Sequence, residues 1–192
     1  MESDCVIHLT LIRHGITSYN IEKRYLGHTD IPVIAERLKE FQPIQGERIS
    51  TVYSSDLWRC RQTASYLFSN HNIQLDARLR EMNFGDYEGK TYEQLKNLEH
   101  YRQWVSDWEH TTPPNGESGT VFQQRIQQFM EEEILQMDQC GQSLAIVSHG
   151  GVIRYIISSL CDKPFWEIEV PHGEAIEMSV RKVGGHWTCT LL

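Results

Sequence analysis

The chain has 192 residues, a length at which one folded domain with one core is expected. Its 40% hydrophobic and 23% charged residues exclude a disordered chain. A formal net charge of −8 opposes nonspecific binding to nucleic acid or anionic lipid, so an anionic substrate would have to be drawn by a few concentrated arginines.

No apolar run approaches the ~20 residues that span a bilayer, and the start MESDCVIHLT is acidic where a secretory signal is basic. The cysteines, Cys5, Cys60, Cys140, Cys161 and Cys189, are scattered, odd in number and without a CxxC pair. They read as reduced thiols of a cytoplasmic protein, not as a disulfide framework or a zinc site.

Val6 to Ile12 is an apolar run that predicts a buried strand, and it stops abruptly at Arg13-His14-Gly15. A strand that feeds straight into a charged pair and a glycine is better suited to presenting a reactive group than to building a core. Ile16 to Asp30, polar and aromatic around Gly27, predicts a loop across the top of that strand. Asp30 is placed to cap a helix with Pro32 in its first turn, and Val33, Ile34, Leu38 and Phe41 recur at helical spacing before Pro43. Ile49 to Ser54 is a second, β-branched strand that ends at Ser54-Ser55-Asp56, a helix-start signal. In the next helix, Leu57, Ala64, Leu67 and Phe68 mark the buried face. Arg59 falls in its first turn, where free N–H groups and the helix dipole favour an anion.

Leu79 to Lys90, LREMNFGDYEGK, is irregular and rich in carboxylates and glycines, and a helix is predicted from Thr91 to about Ser106. Pro113-Pro114 and Asn115-Gly116 interrupt the pattern. Thr120 then caps a longer helix with Val121, Phe122, Ile126, Phe129 and Met130 on one side. Ser143 to Ser148 is a third buried strand, and it runs into His149-Gly150-Gly151 and a helix over Val152 to Leu160. Ala175 to Val183 and His186 to Leu191, joined by Gly184-Gly185, predict a β-hairpin. This alternation predicts an α/β fold, a three-layer α/β/α sandwich with a mostly parallel central sheet, as one domain over residues 1–192. Ligands of such sheets bind beyond the carboxyl ends of the strands, so the RHG, SSDLWR and SHGG ends should converge on one site.

Two arginines and two histidines at strand ends, with glycines that admit a ligand close to the backbone, describe a phosphoryl pocket. Arg13 and Arg59 can each offer paired N–H donors to phosphate oxygens, and their charge keeps His14 neutral and nucleophilic. Attack by His14 on phosphorus would split hydrolysis into formation and breakdown of a phosphohistidine, with the other ring nitrogen held by a partner such as a backbone carbonyl. A buried acid among Glu81, Asp86 and Glu88 would protonate the leaving alkoxide and then act as base on water. His149 would donate to the phosphoryl oxygens as charge develops.

LIRHGITSYN, SSDLWRCRQTA, LREMNFGDYEG, PPNGES and VSHGG, in this order, resemble the histidine phosphatase superfamily, the phosphoglycerate-mutase-like group. The resemblance spans nearly the whole chain. It implies that His14 is the nucleophile, that Arg13, Arg59 and His149 bind the phosphoryl group, and that Glu81 is the proton donor. Asn20 matches a further phosphate-pocket position, Gly27 lies in the matching glycine loop, and Gly150 belongs to the HGG turn. Arg59 is preferred to Arg61 because it comes after the serine-x-leucine run. The family needs no metal for this chemistry. After Asp30-Ile31-Pro32 the chain departs from the pattern: the stretch to Val52 is shorter and lacks the family's leucine-threonine turn, glycine and glutamine-alanine helix.

The resemblance points to a phosphatase acting on a small phosphorylated metabolite, in pattern nearest the alpha-ribazole phosphatase and fructose-bisphosphatase-like branches. The rivals are a cofactor-dependent phosphoglycerate mutase, usually a longer chain, and a noncatalytic phospholigand-binding module. The oligomeric state, a homodimer included, stays open. Gly85 to Thr91 resembles a nucleotide phosphate loop, but with three residues between its glycines where four are required. His8, His71, His100 and His186 lack metal-ligand spacing. Residues 83–120, with Tyr101, Trp104, Trp108 and His110, could form a cap over the site or part of the core. His172 and Glu174 could reach a substrate but read more simply as a plain loop.

Overall fold

The apolar run at the start of the chain forms β1 (Val6–Arg13), whose Ile7, Leu9 and Leu11 enter one core cluster while Ile12 turns to another on the opposite face. The computed structural model describes residues 5–44, 49–136 and 139–192. Five further strands come after it: β2 (Thr51–Ser54), β3 (Ile73–Leu75), β4 (Ser143–Ser148), β5 (Ala175–Val183) and β6 (His186–Leu191). They form one six-stranded sheet in the order β3-β2-β4-β1-β5-β6. The first four are parallel, and the β5–β6 hairpin closes the sheet antiparallel to β1. Pairing of Arg13 with Ser148, and of Ser54 with Val147, brings the carboxyl ends of β1, β2 and β4 to one rim.

Helices cover the sheet. In chain order they are α1 (Ser18–Ile21), α2 (Ala35–Leu38), α3 (Trp58–Leu67), α4 (Tyr92–Leu95), α5 (Glu99–Ser106), α6 (Gly119–Phe129), which a π-helical turn extends over Met130–Ile134, and α7 (Gly150–Cys161). The smaller core cluster packs Cys60, Ala64 and Leu67 of α3, with the adjoining Phe68, on Val52, Ala145 and Val147. The larger one packs Phe122, Ile126 and Phe129 of α6 together with Val152, Ile153, Ile156 and Ile157 of α7 against the other face. The expected α/β architecture is therefore present.

Several local expectations are corrected. The helix after Pro32 shrinks to the single turn of α2, because the Asp30 carboxylate accepts the Trp58 N–H at 2.6 Å and so serves the start of α3. Part of the shortened stretch, residues 45–48, lies outside the described residues. The helix predicted from Thr91 is two pieces, because Leu98 takes extended backbone and starts α5 anew. Ser118, not Thr120, caps α6, which leaves Val121 50% exposed. The short edge strand β3 carries no alternation that would have announced it.

The reduced-thiol reading is also corrected. Cys5 pairs with Cys140 and Cys161 with Cys189, at Cα separations of 4.9 and 5.0 Å, while Cys60 is a buried free thiol. Strand pairing creates the first bridge by setting the start of β1 beside the turn before β4, and the packing of α7 on β6 creates the second. The cytoplasmic placement rested on reduced thiols and loses that support. Among the described residues no helix is long and apolar enough to cross a membrane.

Candidate active site

At the end of β1 the ladder is extended by the His14 N–H, which donates to the Ser148 carbonyl at 2.9 Å. The ring is 3% exposed, and its Nδ1 lies 2.7 Å from the Gly15 carbonyl. A carbonyl only accepts, so Nδ1 carries the hydrogen and Nε2 keeps its lone pair. Burial, then the Arg59 and Arg13 guanidiniums and the His172 ring, hold the imidazole well below its usual pKa. The Gly15 N–H donates to Thr63 Oγ1 at 2.9 Å, and the Thr63 hydroxyl donates to the Arg59 carbonyl at 2.7 Å. The RHG turn is thereby tied to α3.

Arg59 is fully buried, whereas Arg61 is exposed. Its guanidinium donates to the carbonyls of Thr29 at 2.9 Å and Gly27 at 2.6 Å, and Arg13 donates to the Val170 carbonyl at 3.0 Å. Arg13 Nε and Arg59 Nε are buried with no hydrogen-bond acceptor. Orphaned buried guanidinium donors are rare, and two of them beside one imidazole mark a place for an anion.

His149 comes directly after β4 and is also fully buried, its ring centre 5.2 Å from that of His14. Its Nε2 lies 3.0 Å from Ser55 Oγ and 3.4 Å from Cys60 Sγ, and burial with the Arg59 charge pushes its pKa well down. The Cys60 thiol is pushed up to about 12 by the same burial, so it is protonated.

The three candidate carboxylates part company. Asp86 is exposed, with Asn115 as its partner. Glu88 accepts from the N–H groups of His28, Thr29 and Phe84 and from the Thr29 hydroxyl, so it serves as a loop anchor. Glu81 accepts from the N–H groups of Met82 and Gly151, each at 3.0 Å, and lines a cavity of about 380 Å³. Beyond Glu81, Gly151, Arg154, Met82 and Val105, that cavity is walled by aromatic rings, among them Tyr25, Phe84, Trp104, Trp108, Phe165 and Trp166. Its loop is set by the Arg125 guanidinium, which donates to the carbonyls of Arg78, Arg80 and Glu81.

The pattern that describes the histidine phosphatase superfamily (branch 1) matches residues 9–191. The chain belongs to that superfamily. It is similar to the adenosylcobalamin/alpha-ribazole phosphatase of Escherichia coli K12, with 34% identity over 176 residues and 86% of each chain covered. It is also similar to a probable phosphoglycerate mutase of Salmonella arizonae, with 30% identity, 84% of this chain and 78% of that one covered. The alpha-ribazole phosphatase structure from Shigella flexneri superposes with a TM-score of 0.82 at 29% identity, covering 96% of this chain and 95% of that one. The TTHB049 structure from Thermus thermophilus gives 0.67 at 34% identity, covering 88% and 92%.

In this member of the superfamily the geometry gathers Arg13, His14, Arg59 and His149 at one rim, with Glu81, whose charge acts on both arginines, in the wall of the cavity. Asn20 uses its side-chain oxygen locally, accepting from the Thr17 N–H and hydroxyl in a capping box. Gly27 acts through its carbonyl on Arg59, and its lack of a side chain admits Met82 and Glu88. Gly150 leaves room for the Arg13 guanidinium, 3.3 Å from where a Cβ would be. His172, read as plain loop, instead sets its ring centre 5.2 Å from that of His14. Thr63, Ser55 and Arg154 were also passed over in the sequence. The RQTA and VIR stretches that hold two of them lie within helices whose periodicity speaks only of burial. Lys90, in the phosphate-loop look-alike, donates to the Asp86 carbonyl at 2.6 Å.

Proposed function

We propose that this chain is a phosphoric monoester hydrolase that works through a phosphohistidine on His14. The lone pair on His14 Nε2 attacks phosphorus in line with the ester oxygen. The N–P bond forms, the P–O bond breaks, and protonated Glu81 gives its hydrogen to the leaving alkoxide. Arg13, Arg59 and His149 donate to the three phosphoryl oxygens, which spread the transferred charge. Glu81, now a carboxylate, takes a proton from water as the water attacks phosphorus. The N–P bond breaks and inorganic phosphate leaves.

The observation that carries this reading is the place of Glu81, whose charge acts on Arg13 and Arg59 and whose side chain lines a cavity walled largely by aromatic rings. An acid in the wall of a cavity can protonate the group the cavity holds, so the cavity is assigned to the leaving alcohol. Residues 83–120 supply Phe84, Tyr92, Tyr101, Trp104, Val105 and Trp108 to its wall and are assigned the role of a cap. Aromatic walls favour a phosphomonoester with a flat ring in its alcohol. Together with the named relatives, this supports alpha-ribazole phosphate as the substrate. Phosphoglycerate, small and carrying a carboxylate besides its phosphate, gains little from such walls.

The test is a rapid alkaline quench with labelled substrate, which should trap phosphate on the parent and none on His14→Ala. A His14→Ala variant that hydrolyses phosphomonoesters as fast as the parent overturns the mechanism. Isomerisation of phosphoglycerate faster than phosphate release, in the presence of its bisphosphate primer, establishes the mutase instead. Binding without any covalent intermediate establishes the noncatalytic module.

A further inference from the structure

We propose that His172 is a further side chain of the phosphoryl pocket, and that an anion bound there draws one proton onto its Nε2, which then donates to an anion oxygen. The proposal rests on the reading of Arg13, Arg59 and His149 as that pocket.

The placement comes from the sheet. The segment before β5 continues alongside β1, where Gly173 N–H donates to the Arg13 carbonyl at 2.9 Å and Arg13 and His172 form an isolated parallel bridge. His172 Nδ1 lies 2.7 Å from the His14 carbonyl, and its ring meets that of His14 edge-on at 65°. Both rings therefore rest their Nδ1 on neighbouring carbonyls, His172 on that of His14 and His14 on that of Gly15.

That bond decides what the other nitrogen can do. A carbonyl accepts only, so Nδ1 of His172 carries a hydrogen, and in the neutral ring Nε2 is an acceptor. Nε2 has no protein partner among the described residues. A phosphoryl oxygen without a hydrogen would meet it lone pair to lone pair. Bringing the two together requires one proton between them. His149 carries no such constraint, because its partner Ser55 is a hydroxyl that can give or take a hydrogen and leaves the ring free to donate. His14 must stay neutral to attack phosphorus.

Electrostatics point the same way. The charged groups around the pocket are Arg13 on β1, Arg59 on α3, Arg154 on α7 and Glu81, with Asp30 and Glu88 on the Arg59 side and Glu174 exposed on the same loop as His172. Burial and the Arg13 charge hold the His172 imidazole at about 4, so it is neutral before anything binds. A bound dianion offsets the Arg13 charge and favours the imidazolium. The pocket thus gains a further positive charge only when an anion is there to share it, and two buried guanidiniums are spared a charged neighbour while the site is empty.

Sulfate is the cleanest probe, because it stays a dianion without a hydrogen throughout the neutral range. In the full chain, sulfate affinity measured by calorimetry should fall about tenfold per pH unit from pH 6 to pH 8. In His172→Asn and His172→Gln, whose amides donate without a proton, sulfate should still bind, with a slope shallower by about one decade per pH unit. A slope in both variants as steep as the parent's, or a parent affinity that does not change with pH, overturns the proposal. The readout is binding and not turnover, so it fails independently of the phosphohistidine trap on His14.

Discussion

The carboxylate of Glu81 accepts the Gly151 N–H at 3.0 Å, so this side chain in the wall of the aromatic cavity is held by the helix that begins after His149. A Cβ at Gly151 would meet the Glu81 carboxylate and press on Phe122, so any larger residue there would push Glu81 from this place. This contact joins the carboxylate-rich loop to the sheet's rim and holds Glu81 where its charge acts on Arg13 and Arg59.

If Glu81 supplies the proton to the alkoxide, its removal should matter in proportion to how badly that alcohol needs one. Glu81→Gln is expected to lower kcat about 10²–10⁴-fold on alkyl phosphates. On an aryl phosphate with an acidic phenol the loss in the trapping step should be small. Equal losses on the two substrates would show that Glu81 acts otherwise.

The aromatic wall makes a second prediction. Trp166 is 69% exposed, so Trp166→Ala should leave the melting temperature near the parent's, while it removes one ring that meets Trp108 and Phe165. The expected loss in kcat/KM is about 3–10-fold on substrates with a flat aromatic alcohol, from roughly 0.5–1.5 kcal/mol of ring contact. Methyl phosphate should be hydrolysed unchanged. A drop on both substrates would place the effect on the phosphoryl step.

Acid should destabilise the fold in a window set by the buried imidazoles. His14 and His149 have folded-state pKa values below the unfolded value, so the unfolded chain binds more protons on acidification. Their contribution is complete above about pH 6.5 and declines as pH falls below it, by about 1.4 kcal/mol per pH unit for each group. The urea midpoint should therefore drop between pH 6.5 and pH 5, before most carboxylates titrate, and the drop should be smaller in His14→Asn. A midpoint constant over that interval would contradict the assignment.

Much of this site can be read from the chain because the parallel sheet gives a rule: residues just beyond a strand's carboxyl end face the ligand. RHG, SSD and SHGG obey it, so Arg13, His14, Arg59 and His149 were all legible. Glu81 was legible only through the motif, since an irregular loop has no period from which to read direction. His172 was named only as a loop residue able to reach a substrate, because it enters through an isolated bridge to Arg13 in the segment before β5, and nothing in PHGE marks that bridge. The aromatic wall is scattered from Tyr25 to Trp166, and the disulfide partners lie 135 and 28 residues apart, distances that spacing rules do not reach. Asp30 carried a real capping signal, but the helix it serves is not the next one in sequence.

Reduction offers a check on the division between scaffold and site. Cys5 and Cys140 lie at the ends of β1 and β4 remote from His14 and His149, and Cys161 ends α7 far along the helix from Gly151. Reductant should lower stability by about 2–4 kcal/mol per bridge, seen as a lower melting temperature, and leave kcat/KM unchanged in the protein that is still folded. Cys60, buried and protonated, should resist thiol reagents until the chain unfolds.

Glu88 gathers the amides of His28, Thr29 and Phe84 on a single carboxylate, and the carbonyls of Gly27 and Thr29 in turn hold Arg59. Phe84 belongs to the aromatic wall proposed to hold the leaving alcohol, and Arg59 to the rim proposed to hold the phosphoryl group. Selectivity and grip are therefore mechanically one part. Redesign of the wall around Phe84 for a bulkier alcohol would slacken the hold on Arg59, so a broadened variant would need a new anchor for residues 27–29 before it could keep its turnover.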